Sequence, residues 1–206
     1  MSWTAEQMCQ RAAREVLDGY CVGLGYGVAP RVLQRVEAGR QFWWIDGMHV
    51  ARPCQGGDRP PRQAGEVRLT PMEGLQLVRG GRLDLLFIRA EQVSEQGDLV
   101  MTDATGADID RLAAARRVVV LMQHCRPDGS ARIVAQCEGP LLGAGVVSRI
   151  ITELGVIDVT PRGLLLVELA AGVSLGEISG RTGVALMLML DDLPGRRNVA
   201  DAATPG

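Results

Sequence analysis

Two short runs constrain the fold of this chain more than anything else in it. They are Leu83–Ile88 (LDLLFI) and Val118–Met122 (VVVLM). Neither shows the apolar–polar alternation of a strand with one wet face. Strands of this kind belong in a sheet covered on both sides, and such sheets are mostly parallel. Segments with helical character lie between them. Thr4 and Gln7 form a capping box ahead of Met8, Ala12, Val16 and Leu17, and Gly19 ends that run. Asp108–Ala115 reads as a helix, and Ser174 with Glu177 caps another. Apolar strands alternating with amphipathic helices predict an α/β fold: a layered, largely parallel sheet with flanking helices.

Other elements follow from local signals. Val22–Val28 reads as a short strand opening into a glycine-rich turn, and Pro30 starts a helix that runs to Val36. Phe42–Ile45 is a bulky strand. Residues 48–66 are rich in Pro, Gly and Arg without a period and read as a long loop carrying Cys54. Thr70–Pro71–Met72–Glu73 opens a helix that ends at Arg79, with Glu73 as a capping residue. Pro127–Asp128–Gly129 is a turn leading to a strand over Ile133–Cys137. Val146–Leu154 reads as a helix, and Val156–Val159 and Leu164–Leu169 as strands about a turn at Pro161–Gly163. Residues 1–190 are expected to form one domain, and 191–206 a polar tail.

With 206 residues, 47% of them hydrophobic, the chain can bury a substantial core. A net charge of −2 removes the electrostatic case for a nucleic-acid or membrane-surface partner. No apolar run approaches the roughly 20 residues of a membrane helix. The N-terminus lacks the basic-then-apolar order of a signal peptide, so the chain reads as cytoplasmic. All 22 basic residues are arginine, which excludes Schiff-base lysine chemistry and a Walker lysine. Five widely spaced cysteines and two histidines offer neither a disulfide framework nor a metal cluster. His124 beside Cys125 is a conceivable Cys–His couple, but neighbours at a strand end point to opposite faces.

Open α/β sheets bind ligands at the carboxyl ends of their strands. Three segments qualify: the glycine turn carrying Gly25 and Gly27, the residues after Ile45, and Arg89–Ala90–Glu91 after LDLLFI. The turn lacks the full dinucleotide-binding spacing.

Long runs in the second half carry a resemblance. LVRGGRLDLLFI (77–88), QVSEQGDL (92–99), RRVVVLMQH (116–124), GVVSRIITELGVIDVTPRGLLLVELAAGVSLGEI (145–178) and RTG (181–183) resemble the B-type subunit of 3-oxoacid CoA-transferases of the succinyl-CoA:3-ketoacid type. LGYGVAP (24–30) is similar to the Leu-Gly-Ile-Gly-Ile-Pro segment of that family. The resemblance implies an A-type partner or self-association, a coenzyme A thioester as substrate, and no permanently bound cofactor. It also implies covalent chemistry, in which a glutamate attacks the thioester. Where that glutamate belongs, this chain reads Trp44–Ile45–Asp46–Gly47–Met48. Counted without a gap, Gly47 takes the place; with a one-residue gap, Asp46 does. The family's glycine-rich loop is reduced to Thr105–Gly106–Ala107, and its asparagine before the glycine turn is Gly23. Arg89 and Glu91 stand where the family has small or apolar residues.

Asp46 and Glu91 are therefore the candidate catalytic residues, and Gly25, Gly27, Arg89 and Gly106 the candidate substrate- and CoA-binding residues; no metal ligand is proposed. The expected function is acyl-CoA chemistry beside an A-type subunit without the usual glutamate. The alternatives are a non-catalytic partner chain, or acyl-CoA hydrolysis or decarboxylation.

Overall fold

LDLLFI and VVVLM form the centre of the sheet. In the computed structural model, which describes residues 2–25, 27–28, 30–46, 50–55, 67–68 and 83–188, they become β5 (Leu85–Ile88) and β8 (Val118–Leu121). Both lie in a ten-stranded sheet in the order β13-β12-β11-β10-β8-β5-β1-β2-β3-β4. Its five central strands are mutually parallel: β2 (Gln41–Asp46), β1 (Cys21–Leu24), β5, β8 and β10 (Arg149–Ile151). Antiparallel wings flank them. On one side lie β11 (Gly155–Thr160) and β12 (Gly163–Leu169), with β13 (Leu186–Leu188) parallel to β12. On the other lie β3 (Val50–Gln55) and β4 (Val67–Arg68).

Alternate residues of the central strands serve two cores. Leu85, Phe87, Val119 and Ile151 face α1 (Ala5–Ala13) and α2 (Arg31–Gln34), where Ala12, Val16, Val32 and Leu33 cover them. Leu86, Ile88, Val118, Val120 and Ile150 face the opposite layer. That layer contains α3 (Gly106–Ala114), α4 (Leu175–Arg181) and a small sheet of β6 (Gln92–Ser94), β7 (Leu99–Val100) and β9 (Ile133–Val134). Each fully buried aliphatic or aromatic side chain contributes about 1.5–3 kcal/mol. Two-sided burial is thus the main source of cohesion.

The capping signals hold. Thr4 accepts a hydrogen bond from the Gln7 amide while the Gln7 side chain accepts one from the Thr4 amide, and Ser174 caps α4 through the Glu177 amide. Three expectations fail. Val146–Leu154 contains strand β10, not a helix: the β-branched residues Ile150, Ile151 and Thr152 fit the slot between β8 and β11. Residues 50–55, read as loop, form β3, so Cys54 lies in a strand opposite Phe42. Pro53 lies in β3 opposite Trp43 of β2. Leu17 is 46% exposed because α1 ends at Ala13 and the chain leaves the helical stripe. The helix expected over Thr70–Arg79, with Glu73, and the tail 191–206 lie outside the described residues.

A charged cluster ties α1 to the amino edge of the sheet. Glu15 is buried and accepts hydrogen bonds at 2.6 Å from both Arg11 and Arg149, with Arg117 at 2.7 Å on its second oxygen. Arg149 also forks onto Asp158 at 2.5 and 2.8 Å, and Arg11 reaches Glu168 at 2.6 Å. Burial would raise the Glu15 carboxyl pKa, but hydrogen bonds from Arg11 and Arg149 and the nearby charges outweigh it and hold the pKa below the ordinary value. Replacing Glu15 by Gln keeps the shape and leaves three guanidinium groups facing an uncharged amide. Urea unfolding should show a loss of about 3–5 kcal/mol; a loss under about 1 kcal/mol would show that the cluster is not needed.

Candidate functional site

The order of the central strands creates a switch point. β1 pairs with β2 on one side and with β5 on the other, all parallel, so the connections leaving β1 and β5 diverge at the carboxyl edge. The Gly25 amide donates to the Phe87 carbonyl at 2.7 Å, extending the β1–β5 ladder into the turn. A Cβ at position 25 would lie 2.7 Å from Cγ1 of Ile88, so only glycine fits there. Gly27 has a φ of +77°, and a Cβ on it would lie 3.2 Å from Nε of Arg89. The turn after β1 and the first residue after β5 are therefore in contact, with the Arg89 side chain laid across Gly27.

Arg89 is fixed from the far side. Its Nη2 lies 2.9 and 3.1 Å from the two carboxylate oxygens of Asp103. Its Nε is covered and has no hydrogen-bond partner among the described residues. Two residues on, Glu91 makes a parallel tie. Its Oε1 accepts from the Thr102 amide at 3.1 Å and from the Thr102 hydroxyl at 2.5 Å. These two bonds, chiefly the hydroxyl one, hold the Glu91 carboxyl below its ordinary pKa; Asp103 opposes the shift and Arg89 assists it. That environment suits a carboxylate that stays ionised and makes it a weak base at neutral pH.

Gly106 opens α3 three residues beyond Asp103, and a Cβ there would meet nothing within 4 Å. Thr105 caps this helix with Asp108, whose carboxylate accepts from the Thr105 amide at 2.9 Å and from its hydroxyl at 2.7 Å. Asp46 ends β2, one residue beyond Ile45, which is in register with Gly23 of β1. The structure thus brings Gly27 and Arg89 into contact, with Gly25 packed on Ile88 and Glu91 near Arg89. Asp46 shares their edge of the sheet by backbone position, and Gly106 lies further along the connection from Asp103. Sequence reading missed Thr102 and Asp103. Their signal is a pair of polar residues just after Met101, which follows the short strand β7.

The Cys–His couple does not form. The His124 ring is buried, with Nδ1 3.0 Å from the Thr152 hydroxyl and Nε2 3.0 Å from that of Thr182, while the Cys125 thiol donates to the Arg181 carbonyl at 3.7 Å. Thr182 spends its own proton on the Ile178 carbonyl at 2.7 Å, so Nε2–H is the donor to it and Nδ1 accepts from Thr152. Burial, with Arg181 nearby, pushes the His124 pKa down to about 4, a neutral structural imidazole. Burial also raises the thiols of Cys9, Cys125 and Cys137, and that of Cys21 to about 12, which makes them poor nucleophiles. No group of residues able to hold a metal ion occurs among the described residues. An open groove of about 570 Å³ lies elsewhere, between Glu95, Val147 and the β11–β12 turn at Arg162, and shares no residue with the candidate site.

The comparisons with known proteins agree with this architecture. The chain is 32% identical over 203 residues to the B-type subunit of 3-oxoadipate CoA-transferase from Pseudomonas putida, covering 88% of this chain and 95% of that one. The chain belongs to the family of B-type CoA-transferase subunits. The B-type subunit of succinyl-CoA:3-ketoacid coenzyme A transferase from Helicobacter pylori is 30% identical over 197 residues, covering 86% of this chain and 95% of that one. The acyl-CoA transferase YdiF of Escherichia coli O157:H7 shares the fold, with a TM-score of 0.74 at 18% identity over 90% of this chain and 42% of that one. No protein-family model matches the chain. Among the described residues no helix is long and apolar enough to cross a membrane.

The Thr102 contacts give the site a direct check. Thr102→Val removes the hydroxyl donor from Glu91 and should raise the Glu91 pKa toward the ordinary carboxylate range. A carbon-detected NMR titration reads this; an unchanged Glu91 titration would show that the tie is not what depresses it.

Proposed function

We propose that this member of the B-type CoA-transferase family handles acyl-CoA thioesters together with an A-type subunit, and that an aspartate takes the part the family gives to glutamate. The observation that carries the reading is the contact between the Gly25–Gly27 turn and Arg89 at the β1–β5 switch point, in a chain spanning 95% of its B-type relatives. Asp46 is the proposed nucleophile. Its carboxylate attacks the thioester carbonyl, the C–S bond breaks, and CoA thiolate leaves a mixed anhydride. The thiolate then attacks the aspartyl carbonyl, releasing the acyl group as its carboxylate and leaving CoA on the enzyme as a thioester. A second acid reverses both steps and departs as the new acyl-CoA. Atoms and charge balance without a further reactant.

Gly106, where a Cβ would meet nothing, lets the backbone approach the thioester and CoA, Gly25 and Gly27 let the turn pack on Ile88 and Arg89, and Arg89 binds an anionic group. Glu91, ionised and held by Thr102, serves as a second carboxylate at the edge of the cleft. Aspartate is one methylene shorter than glutamate. A misplacement on the scale of one bond costs on the order of 100-fold in rate.

Incubation with succinyl-CoA and an A-type subunit, followed by borohydride reduction and peptide mass spectrometry, tests the assignment. A CoA-dependent reduction at Asp46 is expected, lost in Asp46→Asn, with faster transfer in Asp46→Glu by up to about 100-fold. A modification at Cys54 or Glu91 would replace Asp46 as the nucleophile. No modification at all would favour a non-catalytic role.

A further inference from the structure

The groove of about 570 Å³ lies between the β6–β7 turn, the segment entering β10 and the β11–β12 turn. Asp158 pairs with Arg149, the first residue of β10, so the β11–β12 turn that follows it projects past the amino edge of the sheet. Hydrogen bonds pin the three segments together. The Val147 amide donates to the Gly97 carbonyl at 3.0 Å, the Gly145 amide to Oδ1 of Asp98 at 2.9 Å, and the Val159 amide to the Ser148 carbonyl at 3.1 Å. Gly97 and Gly163 turn with φ of +86° and +119°, a region that favours glycine. A Cβ at Gly163 would lie 3.2 Å from Oε1 of Glu95, which places that carboxylate against the β11–β12 turn. Val147 and Val159 give the groove an aliphatic lining, and Glu95 and Arg162 give it one charge of each sign. The two charges do not meet. Neither side chain has an ion pair or a hydrogen bond among the described residues. Pro161 and Arg162 form the exposed tip of their turn.

We propose that this groove is a self-association surface, filled by the Pro161–Arg162 tip of a second copy of the chain. An unpaired carboxylate and an unpaired guanidinium on one patch are self-complementary. A two-fold axis sets Glu95 of each copy against Arg162 of the other, so two charge-assisted contacts form at once. Charge complementarity selects the second copy as the occupant, because the chain itself carries both the acceptor and the donor. Turns already fixed by hydrogen bonds lose little conformational freedom on docking. A stable dimer buries roughly 800 Å² on each partner, more than two ion pairs supply. The β11–β12 hairpin extends the contact, together with Met187, whose Cε lies 4.0 Å from a Cβ at Gly163. The surface shares no residue with the β1–β5 edge, so the proposal stands apart from the acyl-CoA reading and leaves that edge open to an A-type subunit.

Sedimentation equilibrium of the intact chain over a range of concentrations, combined with charge reversal, tests the surface. The parent should dimerise. Glu95→Arg sets arginine against arginine across the axis, and Arg162→Glu sets glutamate against glutamate. Each should weaken the dimer by roughly 100-fold or more, the scale of juxtaposed like charges. An equimolar mixture of the two variants should dimerise again, because one copy then presents two arginines at these positions and the other two glutamates. Variants that had merely misfolded would not recover on mixing. A parent that stays monomeric overturns the proposal, and a dimer that both variants leave unchanged does so too, since it uses another face. Loss in only one variant, or loss in both without recovery on mixing, overturns the pairing of Glu95 with Arg162. If a monomeric parent binds an A-type subunit and Glu95→Arg abolishes that binding, the groove seats the A-type subunit and the second copy is excluded.

Discussion

Burial of the central strands on both faces is the constraint on which the rest depends. Leu85 and Phe87 face one layer while Leu86 and Ile88 face the other, and all four are fully buried. A strand with no wet side cannot carry a charge along its length without a large desolvation cost. Polar chemistry is therefore pushed to the strand ends. The molecule accordingly has charged clusters at the two edges of one parallel sheet, and they are built differently.

At the amino edge, Arg117 precedes β8 and Arg149 begins β10, and both converge on Glu15. Each cation there has a carboxylate partner: Arg11 also reaches Glu168, and Arg149 also takes Asp158. Pairing of this kind fixes α1 against the sheet. Because every cation is arginine, the fork geometry needed for a shared carboxylate is available throughout. At the carboxyl edge the pairing is incomplete. Asp103 takes one nitrogen of Arg89, and Thr102 takes one oxygen of Glu91. Both ties attach the segment after β5 to the segment after β7, so they join the two at this edge and still leave donors and an acceptor unused. A closed cluster suits stability, and an open one suits binding.

Much of this was legible from the residues alone. Unalternating LDLLFI and VVVLM announced a doubly covered parallel sheet, and the strand-end rule pointed to Gly27 and Arg89, which the structure brings into contact. What escaped depended on partners distant in sequence. Val146–Leu154 has enough apolar residues for a helix, and only its place between β8 and β11 makes it a strand. Pro53 hid β3, because its pairing opposite Trp43 cannot be read locally. Asp103 lies 14 residues from Arg89 and Glu15 lies 134 from Arg149, so neither pair follows from a motif. His124 was legible only as a neighbour of Cys125; its two threonine partners, which make it structural, are 28 and 58 residues away.

The central claim is that acyl-CoA binds at the carboxyl edge where β1 meets β5. Hydrogen–deuterium exchange of the chain with and without CoA measures this most directly. The account predicts slowed exchange in peptides covering 23–28, 87–91 and 101–106. Protection confined to 95–96 and 159–163, the walls of the separate groove, would contradict it.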